Sequence, residues 1–455
     1  MRPTPFLLSC LAALSLGAQT PPEAPSAAAE RFRTEAFRTR GAYGDLAWLC
    51  DRIGHRLSGS PQLEQAIAWA QGRMKEAGLV NVHAEPAMVP HWVRGLESAE
   101  LILPTHQRVN LLGLGGSVGT PPGGLTAEVV VVDSFEALDQ LGAAVKGKIV
   151  LFDVPFKGYG HTVIYRHDGA ARAAKWGAVA ALVRSVGPVS LDTPHTGMME
   201  YDPAYPRIPT AAITIESASQ MHRLQQRGER IQMHLEMGAK TLPDAPSANV
   251  VGEIRGSEKP EEVILLTGHL DSWDVGQGAQ DDGAGTVIAL EAARMIQHLG
   301  LKPRRTLRVV LWTNEENGLR GGKAYRDAHR AELGHIVAAL ESDSGSEKVK
   351  SMDLDLRKAT PEAKERALTA LKSLGEVLAP YGVSFRLGGS GADVSPMVAE
   401  GVPGIGVEHA ATHYFDIHHT QADTLDKVNP DDLAFNAAVL ATFAYALAMS
   451  EVKFR

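Results

Sequence analysis

Acidic residues and histidines recur directly after runs of apolar residues. Gly268-His269-Leu270-Asp271-Ser272 follows the run 263–267, Thr313-Asn314-Glu315-Glu316 follows 306–312, and Glu341-Ser342-Asp343 follows 336–340. Gln280-Asp281-Asp282-Gly283 stands just before a helical pattern carrying Ile288, Ala292, Met295 and Leu299. Asp416-Ile417-His418-His419-Thr420 lies on a polar stretch after the last run, 402–407. Carboxylates gathered without nearby Lys or Arg raise one another's pKa, and a bound cation removes the conflict. Histidines with several carboxylates suit Zn²⁺, and one carboxylate shared by two ions allows a pair about 3.5 to 4 Å apart. The expectation is two zinc ions per chain. Asp281 is shared, His269 and Asp343 hold one ion, and Glu316 with one of His418 and His419 holds the other, each ion keeping an open position for water. Metal lowers the pKa of that water toward ~7, and Glu315, next to a ligand without being one, is the candidate general base. Asp271, two residues past His269, is placed to accept the imidazole N–H and fix its tautomer.

These segments do such chemistry only if one edge of the fold gathers them. From Ala248 onward, continuous apolar runs of strand length alternate with helical patterns, the signature of a parallel sheet covered on both faces. In open α/β sheets ligands bind at the C-terminal strand ends, where all these segments fall. The expected fold is α/β, a mostly parallel mixed sheet sandwiched by helices. Ser60-Pro61 and Gly78 bracket a helix carrying Leu63, Ile67, Ala70 and Met74, and Thr360-Pro361 with Gly382 bracket another. Between 97 and 240 the texture changes: short β-rich runs at 128–132 and 148–152, a helix at 169–176 and an apolar run at 178–183 sit among Gly/Pro loops. This predicts a smaller inserted α/β domain, which divides the larger one into 31–96 and 241–455.

Length and charge set the outer limits. The chain has 455 residues, enough for two or three cores, and 53 acidic against 45 basic residues give a net charge of −8. No Lys/Arg run supplies the basic stripe nucleic acid requires. The apolar stretch 6–16 is too short to span a bilayer and, after Arg2 and before Ala18, reads as a signal peptide over 1–18, so a secreted or periplasmic protein without a membrane partner is expected. Residues 19–30, rich in Pro and Ala, read as an unstructured leader or pro-segment, with order starting near Arg31. Beyond the signal Cys50 stands alone, so no intrachain disulfide is expected. Gly115-x-Ser117-x-Gly119 is not a nucleophile elbow, because Thr120-Pro121-Pro122-Gly123-Gly124 cannot begin the helix an elbow needs. Ser390 and Asp393, within Gly389-Ser390-Gly391-Ala392-Asp393, are candidate substrate-binding residues, Asp393 alternatively a helix N-cap.

Taken together, Gly268-His269-Leu270-Asp271-Ser272, Asp281-Asp282-Gly283, Asn314-Glu315-Glu316, Ser342-Asp343 and His419-Thr420 with Asp423-Thr424 resemble the M28 zinc exopeptidases. The resemblance implies zinc ligands His269, Asp281, Glu316, Asp343 and His419, Glu315 as base and Asp271 as orienting acid. Alignment on Thr420 favours His419 over His418 as ligand. The insert resembles a protease-associated domain, either a roof over the cleft or the face of a homodimer. Many members of the family place a Tyr immediately before the last ligand, where its hydroxyl stabilises the oxyanion. Here that position is His418, the catalytic candidate in its stead. The resemblance implies an exopeptidase that hydrolyses dipeptides or short peptides through metal-bound hydroxide; the signal peptide makes it secreted, and a cleft surrounded by carboxylates favours substrates with a free N-terminus. Its competitors are a non-catalytic receptor on the same scaffold and a single-metal glutaminyl cyclase.

Overall fold

The computed structural model describes residues 23–455, so the expected signal peptide lies outside the described residues. The apolar runs form the centre of an eight-stranded mixed sheet. Its strands in chain order are β1 (Val80–Val93), β2 (Lys240–Ile254), β3 (Lys259–His269), β4 (Arg305–Trp312), β5 (Ile336–Glu341), β6 (Val349–Asp355), β7 (Ser384–Leu387) and β8 (Gly404–His409). They lie side by side as β1-β2-β4-β3-β5-β8-β6-β7. The inner four, β4, β3, β5 and β8, are parallel, with Thr267 opposite Val310 on one side and Glu341 on the other. Every residue of β5 is buried, which is why such strands read as unbroken apolar runs. β8 begins at Gly404 rather than 402, because Pro403 has no N–H to donate to a ladder.

One face of the sheet packs on the Ala284–His298 and Pro430–Met449 helices, and the other on Tyr325, Leu333, Met397 and Val398. The Pro430–Met449 helix is long and apolar enough to cross a membrane, but 83% of that stretch is buried in the protein and it serves as a core helix. The sequence offers 6–16 as the terminal apolar stretch and little sign of this helix, since a helix apolar on all sides shows no stripe. Order also begins earlier than Arg31. A helix over Pro25–Thr39 buries Ala28, Ala29 and Phe32, and the Phe32 ring meets Tyr445 edge-on at 6.1 Å between centroids. The alanines that suggested a loose leader are strong helix formers with a face to bury.

Residues 97–237 contribute a second eight-stranded sheet, with apolar clusters of its own on both faces. Three α-helices accompany it, Phe135–Leu141, Tyr159–Lys175 and Ile215–Gln226; the second starts ten residues earlier than the expected 169, because polar Arg166, His167 and Asp168 interrupt the apolar pattern. The two sheets meet where Trp92 Nε1 donates to Ser117 O at 2.8 Å, and where a Cβ on Gly115 would lie 2.1 Å from the Trp273 ring. The Gly115–Gly119 segment is therefore a packing seam, and buried Ser117 Oγ accepts from Thr210 N at 2.8 Å.

Gly285 sets how closely the Ala284–His298 helix approaches the end of β5. A Cβ there would stand 1.9 Å from Ser342 O and 2.5 Å from Asp282 Oδ1. Gly285→Ala must push the helix away from the Ser342-Asp343 segment, and overpacking of this kind costs about 1–3 kcal/mol. Denaturant unfolding should show a loss of that size, and unaltered stability would mean the contact yields freely.

Candidate metal centre and active site

Asp281 divides its carboxylate between two histidines. Oδ1 lies 3.2 Å from His269 Nε2, which is 3.5 Å from Asp343 Oδ1. Oδ2 lies 3.1 Å from His419 Nε2, which is 3.1 Å from Glu316 Oε2. His269 Nε2 is buried and makes no well-formed hydrogen bond despite these neighbours. Ligand atoms of His269, Asp281 and Asp343 converge in one group and those of Asp281, His418 and His419 in another, with Glu316 beside His419; such sets, one nitrogen orphaned, fit divalent cations of the zinc type.

The electrostatics agree. Burial opposes charge on His269, yet the Asp343 and Asp281 carboxylates outweigh it and hold the imidazole well above its usual pKa. Burial likewise opposes charge on His419, and Glu316 and Asp281 override it. Burial and the nearby Asp281 push Glu316 up to about 7. Burial, with Asp343, Glu316 and Asp281 close by, drives Glu315 well above the usual carboxylate range. Glu315 lines the cleft.

The positioning is largely a matter of backbone. His269 ends β3, and its N–H donates to Asp282 Oδ2 at 2.9 Å while Asp282 Oδ1 accepts from Gly285 N at 3.0 Å, so one side chain joins the strand end to the helix start. The Asp281–Asp282 peptide is cis. Asp423 accepts from the N–H groups of Ala279, Gln280 and Asp281 at 3.1, 2.7 and 3.2 Å and so fixes the segment presenting Asp281. Arg56, fully buried, donates to the carbonyls of Gly54, Leu270, Gln277 and Gly278 at 2.7–2.9 Å. The supporting roles of these three do not show in the sequence. Asp282 and Asp423 stood inside the quoted motifs, whereas nothing local to Arg56 signals burial.

Asp271 acts differently from expectation. His269 Nδ1 donates to the backbone carbonyl of Asp271 at 3.0 Å, while the carboxylate is 3.7 Å away. The carboxylate instead accepts from Glu315 N at 3.0 Å and Glu316 N at 3.3 Å. Nor do Glu315 and Glu316 diverge by strand alternation: β4 stops at Trp312, and Asn314, at φ 66°, turns the chain. Glu316 then reaches inward, its Oε1 accepting from Trp273 N at 3.2 Å.

His419 is held from the second sheet's side of the molecule. It has φ 60°, its carbonyl accepts from Thr196 N at 2.9 Å, and its Nδ1 donates to Thr196 O at 3.3 Å, which leaves Nε2 free toward Asp281. His418 stacks on His419 with centroids 3.5 Å apart and brings its Nε2 to 3.4 Å from Asp281 Oδ2. Burial, with His419 and Arg166 adjacent, holds its imidazole well below the usual pKa and so neutral.

Ser390 and Asp393 do not join the site wall. Ser390 is 1% exposed and donates to Asp355 Oδ2 at 3.0 Å. Asp393 is fully buried with both carboxylate oxygens unpartnered, and the helix it was expected to cap, Ser395–Val398, starts after Val394. Tertiary packing on Glu341, whose carboxylate accepts from Asp393 N and Val394 N, draws the segment inward.

The cleft over Asp281 has a volume of about 530 Å³. Glu315, Asn317, Gly318 and Lys323 line one side, with Tyr159, Arg166, Met198 and Glu200 from residues 97–237 also in its wall. Tyr414 separates it from an adjoining, mainly apolar cavity of about 580 Å³ beside Val189, Leu191 and Ile417.

A parallel-centred α/β sheet carrying two histidines and a shared aspartate at its C-terminal edge is the architecture of a metallo-exopeptidase. Residues 249–444 match peptidase family M28. Over 408 residues the chain is 45% identical to carboxypeptidase Q of Mus musculus, spanning 90% of this chain and 85% of that protein. The crystal structure of a peptidase M28 precursor from Shewanella amazonensis superposes with a TM-score of 0.89 at 38% identity, covering 95% of this chain and 98% of that one. BSAP, a zinc aminopeptidase from Bacillus subtilis, shares the fold with a TM-score of 0.68 at 20% identity, covering 91% and 96%. The chain belongs to peptidase family M28.

Asp271→Asn removes the charge that holds two successive N–H groups of the Glu315-Glu316 turn. Losses at such supporting partners are about 10- to 100-fold in metal affinity or activity. The variant should stay folded, with kcat reduced on that scale. Full activity would show that the turn holds its shape without Asp271.

Proposed function

We propose that this protein is an exported enzyme with two zinc ions, hydrolysing dipeptides and short peptides that carry a free N-terminus. The observation that carries the reading is the division of Asp281 between His269 and His419, which defines two donor clusters around one carboxylate. His269, Asp281 and Asp343 would hold one ion, and Asp281, Glu316 and His419 the other. Zinc is the metal named for the Bacillus subtilis neighbour, which shares the fold. Zinc bound there supplies Lewis acidity, polarising the scissile carbonyl and acidifying water.

The remaining work falls to the chain. Glu315 lines the cleft with a raised pKa, suited to take a proton from attacking water and pass it to the leaving amine. To His418, neutral and in the cleft wall, this reading assigns the N–H that stabilises the oxyanion. Acid-rich walls favour a free α-amino group, and the adjoining apolar cavity behind Tyr414 suits the side chain beside the scissile bond. The mouse relative is named a carboxypeptidase; in a dipeptide the single bond is next to both termini, so the two descriptions meet. The signal-peptide reading of residues 1–18 supports export.

Chelation should abolish turnover, and metal analysis of the reloaded protein should return two ions per chain; one ion, or turnover surviving chelation, would refute the reading. His419→Ala should lose metal and activity together. His418→Ala should keep metal and lose about 10²–10³ in kcat, as removal of an oxyanion donor does. The reverse pattern would exchange the two roles. N-acetylation of a dipeptide should block its cleavage, whereas equal cleavage of free and acetylated forms would exclude the preference for a free N-terminus.

A further inference from the structure

We infer that Lys323, with the side-chain amide of Asn317, binds the free α-carboxylate of the substrate and so selects peptides that end one residue beyond the scissile bond. The inference rests on the peptidase function proposed above. The cleft is faced by the carboxylates of Glu200, Asp281, Glu315, Glu316 and Asp343, against two permanent cations, Arg166 and Lys323. A substrate carboxylate entering this field is repelled unless a cation receives it.

Arg166 is already committed. It is 6% exposed, and its guanidinium donates to Thr196 O at 3.2 Å, Met198 O at 3.3 Å and the Tyr159 hydroxyl at 2.8 Å. Lys323 is different: it is exposed, and its Nζ donates to Gly318 O at 2.9 Å. An ammonium has three N–H donors, so two remain for a ligand. Asn317 is 3% exposed, and its Oδ1 accepts from Asn314 Nδ2, so the half of its amide that remains is the NH₂ donor.

The placement suits a carboxylate close to the reacting bond. Gly318 N donates to Glu315 O at 3.4 Å, and Leu319 N to Asn314 O at 2.7 Å, which closes the turn bearing the proposed base. Lys323 folds back onto the middle of that same turn through Gly318 O. Cation and proposed base thus belong to one turn and line one cleft, and the terminus of a short leaving group is assigned to that cation. A longer peptide would place an uncharged amide there, forfeiting the attraction between ammonium and carboxylate.

Steady-state kinetics on zinc-loaded wild type, Lys323→Met and Lys323→Arg, with leucyl-leucine and leucyl-leucine amide, tests this. For the free dipeptide, Lys323→Met should raise KM about tenfold with kcat little changed, the loss expected for one hydrogen bond to a charged group. The amide should be cleaved equally by all three proteins, less efficiently than the dipeptide by wild type, and Lys323→Arg should recover most of the lost KM. Parallel losses on both substrates, or an unchanged KM for the dipeptide, would overturn the inference. Wild-type cleavage of the amide as efficient as that of the dipeptide would overturn it too and leave the peptidase function intact. No turnover of either substrate by wild type would refute both.

Discussion

Crowded negative charge at one sheet edge is the constraint from which the rest of the site follows. Asp281, Glu316 and Asp343 stand within a few ångströms of two buried imidazole nitrogens, and burial without compensation would neutralise them. Cations between these groups reverse the sign of the problem. The raised pKa values of His269 and His419 express the same demand, since the carboxylates draw positive charge onto whatever group lies between them.

Such a cluster holds its shape only if its supports do not compete for the same lone pairs. The protein meets this with backbone partners. Asp423, Asp282 and Asp271 accept from main-chain N–H groups, and Arg56 donates to four carbonyls. The loops carrying the ligating atoms are thus fixed from behind, leaving their side chains free to point inward. Thr196 extends the logic to the second sheet's segment, engaging the His419 carbonyl and Nδ1 at once. Residues 97–237 thereby contribute to ligand orientation as well as to the cleft wall.

Legibility in the sequence followed the range of the interactions involved. Strands β3, β4 and β5 were readable because a sheet covered on both faces requires unbroken apolar runs, and the polar residues just after such runs must emerge at one edge. The Pro430–Met449 helix was not, since it has no polar face to contrast with an apolar one; the Pro25–Thr39 helix buries Ala28, Phe32 and Ala36 and exposes Glu30, Arg31 and Arg33, but it opens within a Pro/Ala-rich stretch that reads as a leader, and it is held by burial against the other helix. Ser390 and Asp393 misled for a related reason: a Gly-rich polar loop suggests exposure, but contacts with Asp355 and Glu341 draw it under the sheet edge.

The sequence by itself determined which chemical groups are present and that they gather at the C-terminal edge of parallel strands, because both follow from side-chain type and strand-length periodicity. Only the tertiary structure decided which oxygen of Asp281 faces which histidine, that Asp271 supports a turn rather than an imidazole, and that Thr196 orients His419. Those choices depend on distances between residues far apart along the chain, which no local pattern encodes.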